Sequence, residues 1–269
     1  MDLTILQALV LGIIQGVAEW LPISSSGMTS LVLANFYNIT FPEILIRTSL
    51  FLHLGTFLAA LIYFRKEVLE IFKTLFNYKK SSKEQRNIFK FLFVSTLISG
   101  ILGLGILFLL NSIDLEFTGK TITFAIALLL LFTGTIQLKQ KKPAERNLRS
   151  EKELTNSDGV VAGFAQGLAS LPGISRSGIT LSSLLLKKIN DTSALRLSFL
   201  MSLPIVLLGN IVLGIEDFIF APNMIYALAA SFVFGILTIH GMMKISKRIN
   251  FGWFVLIFAL LMLLGILVV

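Results

Sequence analysis

The chain has 269 residues, 55% of them hydrophobic and only 14% charged, with a net charge of +8 and a mean hydropathy of +0.85. A soluble domain carries roughly 45–50% apolar and about 25% charged residues, so a water-soluble globule is excluded, and the absence of cysteine excludes thiolate metal sites while leaving the redox compartment unspecified. Runs at 88–110, 119–138, 224–243 and 251–269 have the roughly 20-residue length that a bilayer requires, which predicts an all-α, polytopic membrane protein.

In chain order, helical elements are predicted at about 3–17, 24–35, 43–64, 88–110 and 119–138, and again at about 158–170, 176–188, 192–214, 223–243 and 250–268. The opening MDLTILQALV has an acid where a secretory signal needs basic residues, so the first helix is expected to stay on the protein. The first two elements of each set are short and meet at Pro22 or Pro172, with glycines nearby. Proline ends a helix and glycine permits the turn. Each pair is therefore a re-entrant hairpin or two full crossings, and either way the chain returns to the side it left. The other three elements of each set cross fully.

The two sets are copies. GIIQGVAEWLPISSSGMT (12–29) and GFAQGLASLPGISRSGIT (163–180) align without gaps and share nine of eighteen positions, against roughly one or two expected by chance. RTSLFLHL (47–54) likewise resembles RLSFLMSL (196–203). An odd net number of crossings per copy inserts the two in opposite directions, an inverted-topology repeat of two five-element halves. The expected organisation is one integral-membrane domain, 1–269, with repeat 1 at about 1–138, a basic loop at about 139–157 and repeat 2 at about 158–269.

Charge placement gives the orientation. Segments 65–90, 139–157, 187–191 and 244–249 fall on one side and hold all the basic residues except Arg47, Lys120, Arg176 and Arg196. The opposite loops carry Asp114, Glu116, Glu216 and Asp217. The positive-inside rule makes the basic side cytoplasmic and puts both termini outside. These loops read as solvated determinants of topology, and no nucleic-acid role is assigned to them.

Arg47, His53, Arg176, Arg196 and Glu19 remain in apolar sequence, where ionisable groups are costly and are usually paired or functional. The repeat has diverged at the key positions: Glu19 aligns with Ser170, and Ser25 with Arg176. One copy supplies an acid and the other a base, near the midplane. ISSSG and ISRSG each lead into a helix N-terminus, which offers unpaired N–H groups to an anion. Ser24, Ser25, Ser26, Gly27, Gly173, Ser175, Ser177 and Thr180, with Arg176 as a planar fork, make a candidate site for phosphate or diphosphate. Serine and glycine at a membrane turn also serve packing and backbone satisfaction alone. His53 lies about ten residues into its helix, roughly 15 Å deep, and reads equally as a hydrogen-bonded core residue or a catalyst. For Arg47 and Arg196, snorkelling or pairing with backbone carbonyls is expected.

QGVAEWLPISSSG (15–27) and LPGISRSGIT (171–180) resemble the two signature motifs of the integral-membrane undecaprenyl-diphosphate phosphatases of the bacitracin-resistance type. HLGTFLAALIYFRK (53–66) and SFLMSLP (198–204) are similar to that family too. The resemblance implies hydrolysis of a polyprenyl diphosphate to the monophosphate and phosphate, recycling the lipid carrier of cell-wall or glycan precursors. It also implies a divalent cation, Mg²⁺ or Ca²⁺, a site open to the outer face of the plasma membrane, and a homodimer. By motif position Glu19 matches the acidic residue, Ser25 the hydroxyl that attacks or binds phosphate, and Arg176 the phosphate clamp, with Ser175 and Thr180 in support. Glu19 with Gln15 is the expected metal position. Two departures stand out: Gln15 replaces a common glutamate, and Met28 occupies the place of a common histidine. Either His53 substitutes or no histidine is needed, and the departures suit an archaeal or otherwise divergent member. The nucleophile, Ser25 or an activated water, stays open. The rival reading is a lipid-phosphate flippase or anion transporter, since inverted repeats with broken helices are also the plan of secondary transporters.

Overall fold

The computed structural model describes residues 3–111, 148–171, 174–213 and 222–245, together with separate positions within 124–138 and 253–263. Regular structure among the described residues is helical. α1 (Ile5–Ala18), α2 (Ser25–Phe36), α3 (Pro42–Tyr63), α4 (Arg65–Phe76) and α5 (Lys83–Asn111) precede residue 112. α6 (Asn156–Leu168), α7 (Arg176–Leu186), α8 (Asp191–Leu213) and α9 (Met224–Ile245) follow residue 148. Four of them are long and apolar enough to cross a membrane: Glu43–Tyr63, Lys83–Leu109, Asp191–Val212 and Met224–Lys244. The chain is thus a multi-pass membrane protein. The expected crossings at 119–138 and 250–268 lie largely outside the described residues, as do Asp114, Glu116, Lys120, Glu216 and Asp217.

Local chemistry explains the short helices. Thr4 caps α1 by accepting from the Gln7 amide, and the Gln7 side chain reaches back to Thr4. Thr155 and Asp158 form the same box on α6, at the positions aligned with Thr4 and Gln7. Each box satisfies two orphan donors at its helix start. α1 then packs most extensively on α9, and α6 on α5. Glycines permit that approach. A Cβ added to Gly12 would lie 2.2 Å from the Ala227 carbonyl oxygen, and one on the aligned Gly163 would lie 2.7 Å from that of Ser95. Close backbone contact through small residues is how helices associate in lipid. Beside these pairs, Trp20, Phe64, Phe91, Phe199, Leu184 and Leu195 form the largest apolar core.

Three sequence expectations change. Segment 65–90 is not merely a basic loop: it contains α4 and a 3₁₀ turn at Tyr78–Lys80. Its Lys and Arg residues masked an underlying apolar stripe. Arg47 and Arg196 also pair with carboxylates. Arg47 contacts Glu43 at 3.0 Å, and Arg196 grips Glu151, with Glu67 at 4.0 Å. Arg149 and Lys187 are likewise not free topology determinants. Arg149 donates to both oxygens of the buried Asp158 and to the carbonyls of Lys187 and Glu153, and Lys187 stands 3.8 Å from Asp158. Burial pushes the Asp158 carboxyl up, but hydrogen bonds from Arg149 and Thr155 outweigh it and hold the group below its ordinary range.

Candidate active site

The site begins where α1 stops. Glu19 is its C-cap, and a tight turn carries the chain to Ser25 at the start of α2. The Ser24 hydroxyl caps α2, accepting from the Gly27 amide at 3.2 Å. Ser24 does so at φ 61°, a left-handed conformation that costs a non-glycine residue about 1–3 kcal/mol and tends to cluster at functional sites. Its counterpart Ser175 caps α7 at φ −67°, without that strain. The turn folds Ser25 back onto Glu19, so that its Oγ donates to Glu19 Oε2 at 2.5 Å. One helical turn earlier, Gln15 Nε2 donates to the same oxygen at 3.0 Å.

The second hairpin delivers the cation. Arg176, the first residue of α7, donates through Nη2 to Glu19 Oε1 and through Nη1 to the Ser198 carbonyl on α8 at 3.1 Å. Its guanidinium carbon lies 5.6 Å from the centre of the Trp20 ring, within cation–π range. Trp20 is held edge-on by Phe199 at 4.7 Å. The tips of the hairpins are also tied directly, since Ser177 Oγ donates to the Leu21 carbonyl at 2.8 Å. From α3, His53 Nε2 stands 3.0 Å from Glu19 Oε2, while Nδ1 faces the Ser49 carbonyl at 2.5 Å. Both ring nitrogens thus face oxygen atoms of the site.

Gln15, Ser25, His53 and Arg176 therefore converge on one carboxylate. Glu19 is 5% and Ser25 7% exposed, and the Arg176 and His53 side chains are each 16% exposed. At short range in such surroundings charge interactions far exceed their strength in water. Hydrogen bonds to Glu19 and Ser198 use two of the five guanidinium donors of Arg176.

The remaining predicted hydroxyls form a supporting ring. Ser24 and Ser26 lie 3.4 Å apart, as their counterparts Ser175 and Ser177 lie 3.3 Å apart. Ser175 caps Gly178 at 3.1 Å. Thr180 meets Ser198 Oγ at 2.5 Å and donates to the Arg176 carbonyl at 2.7 Å. Gly173 and Pro172 lie outside the described residues. Three participants escaped the sequence reading: Trp20, Ser49 and Ser198. A signal for two of them existed. Ser49 and Ser198 occupy the same place in RTSLFLHL and RLSFLMSL, and each gives its backbone carbonyl to a basic group of the site.

A family model for the bacitracin resistance protein BacA matches residues 8–266. The chain belongs to the BacA family. Among similar BacA relatives is the undecaprenyl-diphosphatase of Methanococcoides burtonii, 41% identical over 256 residues, covering 94% of each chain. The undecaprenyl-diphosphatase of Methanothrix thermoacetophila is 36% identical, over 93% of this chain and 92% of the relative. Undecaprenyl-diphosphatase 2 of Halalkalibacterium halodurans is 35% identical, over 94% and 92%. Archaeal and bacterial members are thus both similar to this chain.

Proposed function

We propose that this BacA-family chain hydrolyses undecaprenyl diphosphate to undecaprenyl phosphate and inorganic phosphate at the Glu19 cluster. One observation carries the reading: a buried carboxylate joins a serine hydroxyl of the first hairpin to an arginine of the second, 157 residues away. Family membership and the relatives' names supply the substrate. They leave the flippase or transporter reading without support of its own.

Phosphoryl transfer needs in-line positioning and neutralisation of the phosphate oxygens. Arg176 receives the terminal phosphate, exchanging its bond to Glu19 for bonds to phosphate oxygens, with Trp20 and the Ser198 carbonyl holding the guanidinium in place. Glu19 is thereby freed to take the proton of Ser25, whose hydroxyl already points at it. Unaided, a neutral serine is a poor nucleophile and needs such a base. Ser25 Oγ bonds to the terminal phosphorus, the bond from that phosphorus to the bridging oxygen breaks, and undecaprenyl phosphate leaves. Water then attacks the phosphoserine, and inorganic phosphate departs as Ser25 regains its proton. His53 and Gln15 fix the orientation of the Glu19 carboxylate. Ser24, Ser26, Gly27, Ser175, Ser177 and Thr180 shape the two helix starts that receive the phosphates, and the reading extends to Gly173 in the second turn.

A divalent cation, Mg²⁺ or Ca²⁺, fits this donor set. Gln15 Oε1 is buried without a hydrogen-bond partner among the described residues, and it neighbours the Glu19 carboxylate. Among the described residues there is no group of three or more His, Asp or Glu that could hold a metal. Mg²⁺ is commonly held by one or two carboxylates with substrate phosphates and water. Gln15 and Glu19 would hold it, and it would neutralise phosphate charge.

The reading includes one domain over 1–269 built as an inverted repeat. Its support is the packing of α1 on α9 and α6 on α5 through aligned Gly12 and Gly163. The basic segments face the cytoplasm, with the termini and the site opening outside the cell membrane, and the protein assembles as a homodimer.

The test is phosphate release by purified protein from undecaprenyl diphosphate, with and without Mg²⁺ or Ca²⁺. Metal-dependent release is expected, and label from the terminal phosphate should be trapped on Ser25 in a rapid quench. No release overturns the reading. Release without label on Ser25 overturns only the assignment of the nucleophile.

A further inference from the structure

α4 is a twelve-residue helix of which only Thr74 is buried. Val68 and Ile71 pack it against the largest apolar core, but most of its apolar residues do not face the protein. The side turned to the protein is polar in part: Glu67, Glu70 and Thr74 line a cavity of about 270 Å³, together with Glu84, Glu151 and Arg196. The other side carries Leu69, Phe72, Leu75 and Phe76, which are 57%, 55%, 51% and 80% exposed. Leu69, Phe72 and Phe76 follow the i, i+3, i+7 spacing of one helical stripe. Lys66 and Lys73 are exposed beside it. A contiguous apolar patch rimmed by charge marks an interaction surface.

Continuity of the chain says what covers it. A single residue, Phe64, separates α4 from the membrane-spanning α3, and the spanning α5 begins at Lys83. Both ends are therefore tethered at one membrane surface. Basic charge gathers on the same short stretch, at Arg65, Lys66, Lys73, Lys79 and Lys80. A helix with one apolar face and basic flanks lies in the plane of the interface and prefers anionic lipids.

We propose that α4 is an in-plane interfacial helix. Leu69, Phe72, Leu75 and Phe76 sit among the acyl chains of the leaflet at the basic face, and Arg65, Lys66 and Lys73 contact anionic headgroups. The chain has no cysteine, so the full-length protein can be spin-labelled at one chosen site. Leu69→Cys, Phe72→Cys, Phe76→Cys and Glu70→Cys would be labelled in nanodiscs of phosphatidylcholine with and without phosphatidylglycerol. Collisions with oxygen and with a water-soluble nickel chelate report depth. Labels at 69, 72 and 76 should favour oxygen and the label at 70 should favour nickel. Phosphatidylglycerol should deepen the label at 72, and Lys66→Gln with Lys73→Gln should abolish that deepening. Nickel access at all four sites overturns the proposal. So does protection of the apolar sites from both reagents, which would mark a protein partner or a second copy. No phosphatidylglycerol effect on the parent overturns the headgroup assignment.

Discussion

Replacing Glu19 by glutamine tests the centre of the site with little change of volume. The carboxylate accepts from four groups: Gln15 at 3.0 Å, Ser25 at 2.5 Å, His53 at 3.0 Å and Arg176. An amide has one acceptor oxygen and an NH₂ that only donates. With the oxygen toward Ser25, the NH₂ confronts the guanidinium; with the oxygen toward Arg176, the NH₂ confronts three donors. Either way Arg176 loses its counter-charge. Removing one member of a buried ion pair costs roughly 3–5 kcal/mol. Arg176 and His53 are each 16% exposed, so water softens the loss and the lower end, about 3 kcal/mol, is expected. Loss of a general base separately removes roughly 10²–10⁴ in rate. Glu19→Gln should therefore unfold at lower temperature in detergent and release phosphate at least about a hundredfold more slowly. Glu19→Asp keeps the charge one methylene short and should retain more activity than the amide. Turnover by Glu19→Gln within a few-fold of the parent, at unchanged stability, would refute the assignment of this carboxylate as the centre.

Arg176→Lys keeps a charge but loses the fork. Hydrogen bonds to charged groups contribute about 1.5–3 kcal/mol, so kcat/KM should drop roughly 10- to 100-fold, measured by phosphate release. Trp20→Leu removes a cation–π contact of about 0.5–2 kcal/mol and should raise KM more than it lowers kcat, with Trp20→Phe restoring most of the difference. Asp158 is held below its ordinary range, so the stability it gains with Arg149 is complete above the unfolded-state value. It is lost as pH falls through the lower folded-state value. Thermal melts of the parent against pH should show that acid-side loss, and Arg149→Ala should flatten it. Gly12→Val forces a side chain into the Ala227 carbonyl and should cut the yield of folded protein, read by size-exclusion chromatography.

Hydrophobic run length made the spanning helices α3, α5, α8 and α9 legible before any coordinates. Lipid requires nearly every backbone group to be paired within a helix, so an apolar run of sufficient length has few other options. The meeting of Glu19 with Arg176 was legible for a related reason, since isolated charges in apolar sequence seek each other. Sequence could not place His53, because a lone histidine in a helix carries no record of which face meets the other hairpin. Nor could it show that Ser49 and Ser198 act through their carbonyls, which leave no side-chain signature. α4 was hidden because its Lys and Glu residues lower the local hydropathy while its apolar residues keep helical phase, a pattern visible only when periodicity is read instead of charge. The same blindness concealed Asp158 and Glu151, whose burial depends on arginines distant in sequence or in a neighbouring turn.

The histidine question has a structural answer that can be tested. Met28, in the position where many family members are expected to carry histidine, packs among apolar residues with Ala18 and Ile23. Its thioether offers only a weak acceptor and no donor to a phosphate. His53, from a different helix, instead touches the Glu19 carboxylate and is oriented from behind by the Ser49 carbonyl. A carbonyl–histidine–carboxylate chain fixes the ring as an orienting partner does in triads. Because His53 holds the Glu19 base in place, His53→Ala should slow phosphate release, but by less than the roughly 10²-fold or more expected for loss of the base itself. His53→Gln, which can still donate to Glu19 but cannot also donate to Ser49 in the same geometry, should fall between the two. Met28→Ala removes only apolar contact and should leave kcat within a few-fold, and Met28→His should not rescue His53→Ala, because the ring would enter the apolar cluster instead of the Glu19 pocket. Rescue of His53→Ala by Met28→His would show that the two positions reach the same phosphate, and the division of roles drawn here would fail.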